Sequence, residues 1–401
     1  MNYDINQEII GAISIIDGSF DLYVGRYSKE LISPDGVALP YPPLMACLQV
    51  PIVFTGMRLG LDPFGMAMFM LCGFPYIILS VLCAYQTGVV LKKSLDVRDE
   101  MTITTTVFLL IFSALMFWVV THAGRFEFVT ALFLLLAISA LTDERYGLAG
   151  FCLGLSLMTK QIVVPAVIVF IAVISFETIR KRIKPRKAIR FFVMLPVPLA
   201  ILIPFWIRSP HDMAAAFFEN QKLLPIMEVS FPNMLVQAGK WIFNEEALRE
   251  FLQFHSNFII LVLATVFILA VAWKKDVRLG TKEFCALVAL ALFFLPTLAK
   301  YTETFRYAVP AWVFLVLWAA SRRPGFPYEA LYFVVLQSFI MDHVPVIWKR
   351  HIGLIFNAIG FGYIYYWTFL DSGKHHLAPK SEQSAELRPA GPVKPDLSDK
   401  R

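Results

Sequence analysis

Charged residues are scarce in this chain: Asp, Glu, Lys and Arg together make up only 16% of 401 residues. Soluble domains carry about a quarter charged residues, so the deficit excludes an ordinary water-soluble fold. Only five cysteines occur (Cys47, Cys72, Cys83, Cys152, Cys285), all inside apolar stretches. None has metal-ligand spacing or sits in a polar loop suited to a disulfide, so they read as small buried hydrophobes. The histidines His211, His343 and His351 lack ligand spacing, and no Asp-x-Asp cluster calls for a divalent cation. Residues 1–43 lack the basic start and apolar core of a cleavable signal peptide, and no internal repeat is visible.

Apolar residues make up what is present. The chain is 58% hydrophobic with 36 Phe, and its mean hydropathy is +0.64. The net charge of +6 resides largely in short basic loops between apolar runs, which is how membrane topology is set. It does not mark a nucleic-acid partner. The expected fold is an all-α polytopic membrane protein of about 11 spans, at 67–91, 103–121, 126–142, 147–159, 161–177, 191–207, 256–273, 284–299, 306–321, 328–341 and 352–370. The basic loops around Lys92–Arg98, Arg180–Arg190, Lys274–Lys282 and Arg322–Arg323 are placed in the cytoplasm. They alternate correctly only if 147–177 is a tight hairpin with Lys160-Gln161 at its outer turn.

Three regions follow. Residues 1–66 form an external segment, in which 44–60 is an interfacial helix because it is short, contains Pro51 and ends in Arg58. Residues 67–370 form the membrane bundle, with the outer loop 208–255 folded as amphipathic helices over its mouth. Residues 371–401 form a polar, disordered cytoplasmic tail. An odd number of spans leaves the N-terminal segment outside with nothing to carry it across, so a further helix upstream of Met1 is expected.

The outer ends of the spans hold the chemistry-bearing residues: Asp21-Leu22-Tyr23, Tyr41-Pro42-Pro43-Leu44, Gly124-Arg125-Phe126-Glu127, Lys160-Gln161 and Arg306-Tyr307-Ala308-Val309-Pro310. A cation at Lys160, flanked by apolar residues, is costly unless something offsets its desolvation. It is therefore either a phosphate ligand or a snorkelling side chain. Asp21 is either a reactive carboxylate or the N-cap of a following helix. The rigid Tyr41-Pro42-Pro43 path is either a substrate-facing anchor or a corner leading into the membrane. Arg125 and Glu127 are either substrate ligands, together with His122, or a structural ion pair.

In order and layout these motifs resemble the GT-C membrane glycosyltransferases, most closely the polyprenyl-phosphate-mannose-dependent enzymes of glycosyltransferase family 87. The resemblance implies a hexosyltransferase of the cell membrane, with Asp21 as general base on the acceptor hydroxyl and Asp17 as its rival. Lys160, with Arg125 and Arg306, would bind the donor phosphate. Tyr41, His122, Glu127 and Gln161 would line the substrate, and no cofactor is needed. The implied partners are a polyprenyl-phosphate sugar (mannose by the resemblance), a lipid- or glycan-linked acceptor and membrane lipids. The Gly124-Arg125 pair departs from the Gly-Gln usual in that family. A secondary transporter or flippase is the alternative, and would require ionisable groups at mid-span and broken helices. A third reading is an inert scaffold subunit.

Overall fold

A computed structural model describes residues 3–20, 42–112, 127–214, 231–298, 309–322, 355 and 358–370. Every regular element among them is helical. In chain order they are α1 (Tyr3–Ile16), α2 (Leu44–Arg58), α3 (Met66–Lys93), α4 (Glu100–Phe112), α5 (Glu127–Thr142), α6 (Tyr146–Thr159), α7 (Val164–Ile179), α8 (Pro185–Met194), α9 (Ile203–Arg208), α10 (Pro210–Ala214), α11 (Phe231–Gly239), α12 (Glu245–Lys274), α13 (Lys282–Leu298) and α14 (Val309–Arg322). A last helix, α15 (358–365), runs into a π-helical turn at Tyr366–Leu370.

Among the described residues, four stretches are long and apolar enough to cross a bilayer: Met66–Lys93, Gln161–Ile179, Pro185–Arg208 and Glu245–Lys274. Their outward faces carry apolar side chains such as Phe74, Ile78, Phe258 and Val266. A soluble protein would not leave so much apolar surface in water, so the chain is an α-helical, membrane-associated protein.

One end of the bundle gathers the basic residues. Ser94, just past α3, shares a hydrogen bond with Thr142 at the end of α5 (2.7 Å), so these two helices run side by side and parallel. Arg180, past α7, donates to the Trp273 carbonyl near the end of α12 (3.0 Å), and Arg322 of α14 stacks on Trp367 in the final turn. Lys187 at the start of α8 bridges Glu144 just before α6 (2.5 Å). Lys92, Arg145, Arg180, Lys187, Lys274 and Arg322 therefore share one level.

Asp276 anchors this basic end. Arg182 holds it in a two-pronged fork (2.7 and 2.8 Å), and Arg278 and Arg180 also donate to it. The Arg182 hydrogen bonds, then those of Arg278 and the Arg180 charge, hold its carboxyl well below the usual carboxylate range. The unfolded chain takes up that proton more readily, so this contribution is complete above about pH 4 and lost as pH falls towards the folded value. A melting-temperature profile from pH 6 to pH 3 should therefore fall, and Asp276→Asn should flatten it. Equal slopes would remove Asp276 from the account.

The sequence places residues 1–66 on the outer side, with 44–60 as an interfacial helix; in the structure α1 and α2 pack against the apolar core. Ile5, Ile9, Ala12 and Ile13 of α1 and Met45 and Val53 of α2 belong to the same apolar cluster as α3, α5, α7, α13 and α14. α1 spaces its apolar residues along one face and buries it, whereas α2 is apolar on most sides and turns Met45, Gln49 and Val53 inward. Pro42 and Pro43 are buried as well, and Pro43 caps α2.

A buried ion pair at the turn of a hairpin

α6 ends at Thr159, whose hydroxyl turns back to the Ser156 carbonyl (2.6 Å). Lys160 follows in extended backbone (φ −160°, ψ 136°), Gln161–Val163 make one 3-10 turn, and Pro165 opens α7. The chain then doubles back. Gly147, Gly150 and Gly154 of α6 face Arg190/Met194, Phe191/Leu195 and Leu195/Pro198 in the same order, so α6 and the stretch from α8 onward are parallel. α7, which joins them, must run the other way. Lys160 is therefore the turn of a hairpin, at the end opposite the basic cluster.

That turn lies deep. Fourteen residues of α6 rise about 21 Å, against roughly 30 Å of hydrocarbon core. With Arg145 at the basic boundary, Lys160 stops well short of the far surface. Its Nζ donates to Glu127 Oε1 at 2.6 Å, and the side chains are only 1% and 0% exposed. Glu127 opens α5, where the helix dipole favours an anion, and Lys160 caps α6, where it favours a cation. One turn below, Thr130 and Thr159 share a hydrogen bond (2.9 Å), and Ser156 donates to the Thr130 carbonyl (3.0 Å). These bonds fix the two helices against each other and set the pair's position.

The sequence offers Lys160 either a lipid phosphate or water; the structure gives it a protein carboxylate. A charge pair with so little solvent is weak evidence for stability, and ionisable groups at this depth are functional by default. An incoming phosphate would compete with Glu127 for the ammonium.

A second buried acid escapes the sequence reading. Glu8 of α1 accepts from the Tyr76 hydroxyl of α3. Gln49 of α2 donates to Tyr76 Oη (2.8 Å) and to the Cys72 carbonyl (2.9 Å). All three side chains are buried. Gln86 of α3 meets Ser139 of α5 (2.6 Å), so counting about 1.5 Å per residue along these parallel helices sets Glu127 near the level of Phe74 to Tyr76. The two acids thus share one layer. The available signal was the Ile5, Ile9, Ala12, Ile13 spacing, which marks the first residues as a buried helix with Glu8 beside its apolar face.

Asp17 lies exposed at the end of α1, where Gly18 takes a positive φ (68°). Phe20 packs edge-on against Phe205 (5.5 Å). Gly18, Ser19, Phe20, Pro204, Ile207 and Arg208 line a cavity of about 540 Å³. Since the stretch after α8 climbs away from the basic end, this cavity opens on the same side as Lys160. Gln161 is half-buried in the hairpin turn. Asp21, Tyr41, His122, Arg125 and Arg306 lie outside the described residues, as do the expected span 328–341 and the tail 371–401. Among the described residues no three His, Cys, Asp or Glu side chains gather as a metal site would require. No protein-family model, curated protein or solved structure matches the chain.

Proposed function

We propose that this protein is a membrane glycosyltransferase with a GT-C-like bundle of about 11 spans. It transfers a sugar, mannose by resemblance, from a polyprenyl-phosphate donor to a hydroxyl of a lipid- or glycan-linked acceptor. The basic end faces the cytoplasm by the positive-inside rule, so transfer takes place on the other side. The observation that carries the reading is the Lys160–Glu127 pair, buried at that end and below the membrane surface.

The reaction is a single inverting displacement. The acceptor oxygen bonds to the anomeric carbon as that carbon's bond to the phosphate oxygen breaks. The acceptor proton passes to a carboxylate, Asp21 or its rival Asp17, and the electron pair leaves with the phosphate. Lys160, released from Glu127, neutralises the leaving charge with the help of Arg125 or Arg306. In a poorly solvated site that interaction is stronger than in water.

A secondary transporter is the competing reading, and the Glu8–Tyr76–Gln49 group favours it, because an acid buried within a helical layer suits ion coupling. One experiment separates the two. Purified full-length protein is given a synthetic polyprenyl-phosphate mannose with labelled sugar and an acceptor extract, alongside uptake measurements in vesicles. Labelled product is expected, with a roughly 10²–10⁴-fold loss in Asp21→Asn and near-normal rates in Asp17→Asn. The reverse pattern would make Asp17 the base. Uptake without product would reject the transferase.

A further inference from the structure

α1 leads directly to the two carboxylates that compete for the acceptor proton. Asp17 follows its last residue, and Phe20 is the last described residue before Asp21. This end of the helix is tightly bonded. The Ser14 carbonyl accepts from the amides of Ser19 (3.0 Å) and Phe20 (3.2 Å) and from the Ser19 hydroxyl (3.1 Å). The two serine hydroxyls share a further hydrogen bond (3.0 Å). Tyr3 to Phe20 therefore form one rod.

Polar contacts hold that rod lengthwise. Ile5, Ile9, Ala12 and Ile13 bury the apolar face of α1, but apolar burial is non-directional and tolerates sliding or turning. The Glu8 side chain, only 3% exposed, makes a directional contact. An amide nitrogen only donates, and it carries two hydrogens. Gln49 Nε2 directs them at the Cys72 carbonyl and at Tyr76 Oη. The Tyr76 hydroxyl thus accepts from Gln49 and turns its own proton to Glu8. The bonds run one way, from α2 through α3 to α1, and fit one register. Sliding α1 by a single residue, about 1.5 Å, would take the buried Glu8 carboxylate off its donor, a loss that apolar contacts do not restore.

We infer that Glu8, with Tyr76 and Gln49, is a positioning residue for the acid that takes the acceptor proton, whether Asp17 or Asp21. The inference rests on the transferase reading. Glu8 stands nine residues before Asp17, about 13 Å along the helix, and acts through the rod rather than on the substrate. It fixes one end, while Phe20, edge-on to Phe205 (5.5 Å), fixes the other. In this role Glu8 is needed as a hydrogen-bond acceptor and not as a charge, whereas ion coupling in a transporter would need the charge.

Transfer of labelled sugar by the full-length protein is compared with that of Glu8→Gln, Glu8→Leu and Tyr76→Phe. Glu8→Leu and Tyr76→Phe should lower kcat by about 10–10²-fold, the scale of an ångström's misplacement at a reacting group, while the donor KM stays within about twofold because Lys160 is untouched. Glu8→Gln, whose carbonyl still accepts from Tyr76, should stay close to the parent. A merely structural role would lower the melting temperature and leave kcat per folded molecule unchanged.

Dipolar EPR gives a readout that needs no activity. Nitroxides are placed at Asp17→Cys and Ile207→Cys, both exposed positions, after Cys47→Ala removes the one cysteine that is not buried. The distance distribution should shift or broaden in Glu8→Leu and Tyr76→Phe but not in Glu8→Gln. Unmoved labels in both of the first two variants, or moved labels with full kcat, would overturn the assignment. So would a loss in Glu8→Gln as large as that in Glu8→Leu. No product from the unaltered protein would instead overturn the transferase, and the labels alone would then judge whether Glu8 fixes α1.

Discussion

Lys160→Met should abolish sugar transfer and also destabilise the protein, and these two losses are separable. Met keeps the length and apolar stem of lysine but leaves the Glu127 carboxylate buried without its ammonium. Breaking one side of such a pair costs about 3–5 kcal/mol. Glu127→Leu takes the carboxylate away from the buried Lys160 ammonium and should cost a similar amount. The double variant Glu127→Leu/Lys160→Met removes both charges, and its stability should return close to that of the parent, since buried pairs often exchange for apolar groups at no net cost. Activity should not return with it. If Lys160 neutralises the leaving phosphate, turnover stays lower by at least about 10²-fold in the double variant, the scale of losing one preorganised charge contact. A stable, fully active double variant would reduce the pair to a packing device and remove the main support for the transferase. Comparing melting temperatures with labelled-sugar transfer across the four proteins decides it.

The helical, membrane-associated class was legible because burying apolar surface in lipid needs long apolar runs, and those are visible directly. The hairpin at Lys160 was also legible, since only a reversal there keeps the Arg180–Arg190 cluster on the same side as Lys92 and Lys93. Glu127 was read as a candidate by its place at the start of a span. Its partner was not, because residues 33 apart meet only through the packing of α5 on α6, which no local pattern encodes. Glu8 was hidden for another reason. α1 has only 14 residues, too few to suggest a span, so its one-sided apolar spacing carried less weight than its polar neighbours. Asp17 stood out as a carboxylate, but its position at a helix end beside Phe20 and Arg208 depends on contacts with α9 that lie nearly two hundred residues away.

The position of Lys160 depends in turn on two glycines, and substituting them should produce the largest structural effect in the bundle. Gly150 and Gly154 are four residues apart on α6, the small-residue spacing that lets membrane helices approach closely. A Cβ on Gly150 would lie 2.3 Å from the Phe191 carbonyl oxygen, and one on Gly154 would lie 2.2 Å from that of Leu195. Both obstacles are backbone, so no side chain can swing aside. Gly150→Ala and Gly154→Ala must instead push α6 and the α8 stretch apart by roughly an ångström, against interiors packed as densely as organic crystals. Each should cost about 1–3 kcal/mol as overpacking, and the double variant less than their sum, because one separation of the two helices relieves both clashes. Because Lys160 caps the same helix, the shift moves its ammonium relative to Glu127, and a displacement of that size at a reacting centre can lower turnover by about 10²-fold. Gly362→Ala is the control. Its added Cβ meets nothing within 4 Å, and alanine favours a helix over glycine by about 1 kcal/mol, so it should leave stability unchanged or raised. Melting temperatures of the three single variants, read beside transfer rates, test the chain of cause from glycine to ammonium. If Gly150→Ala and Gly154→Ala melt no lower than Gly362→Ala, the close approach of the two helices does not hold the hairpin turn in place.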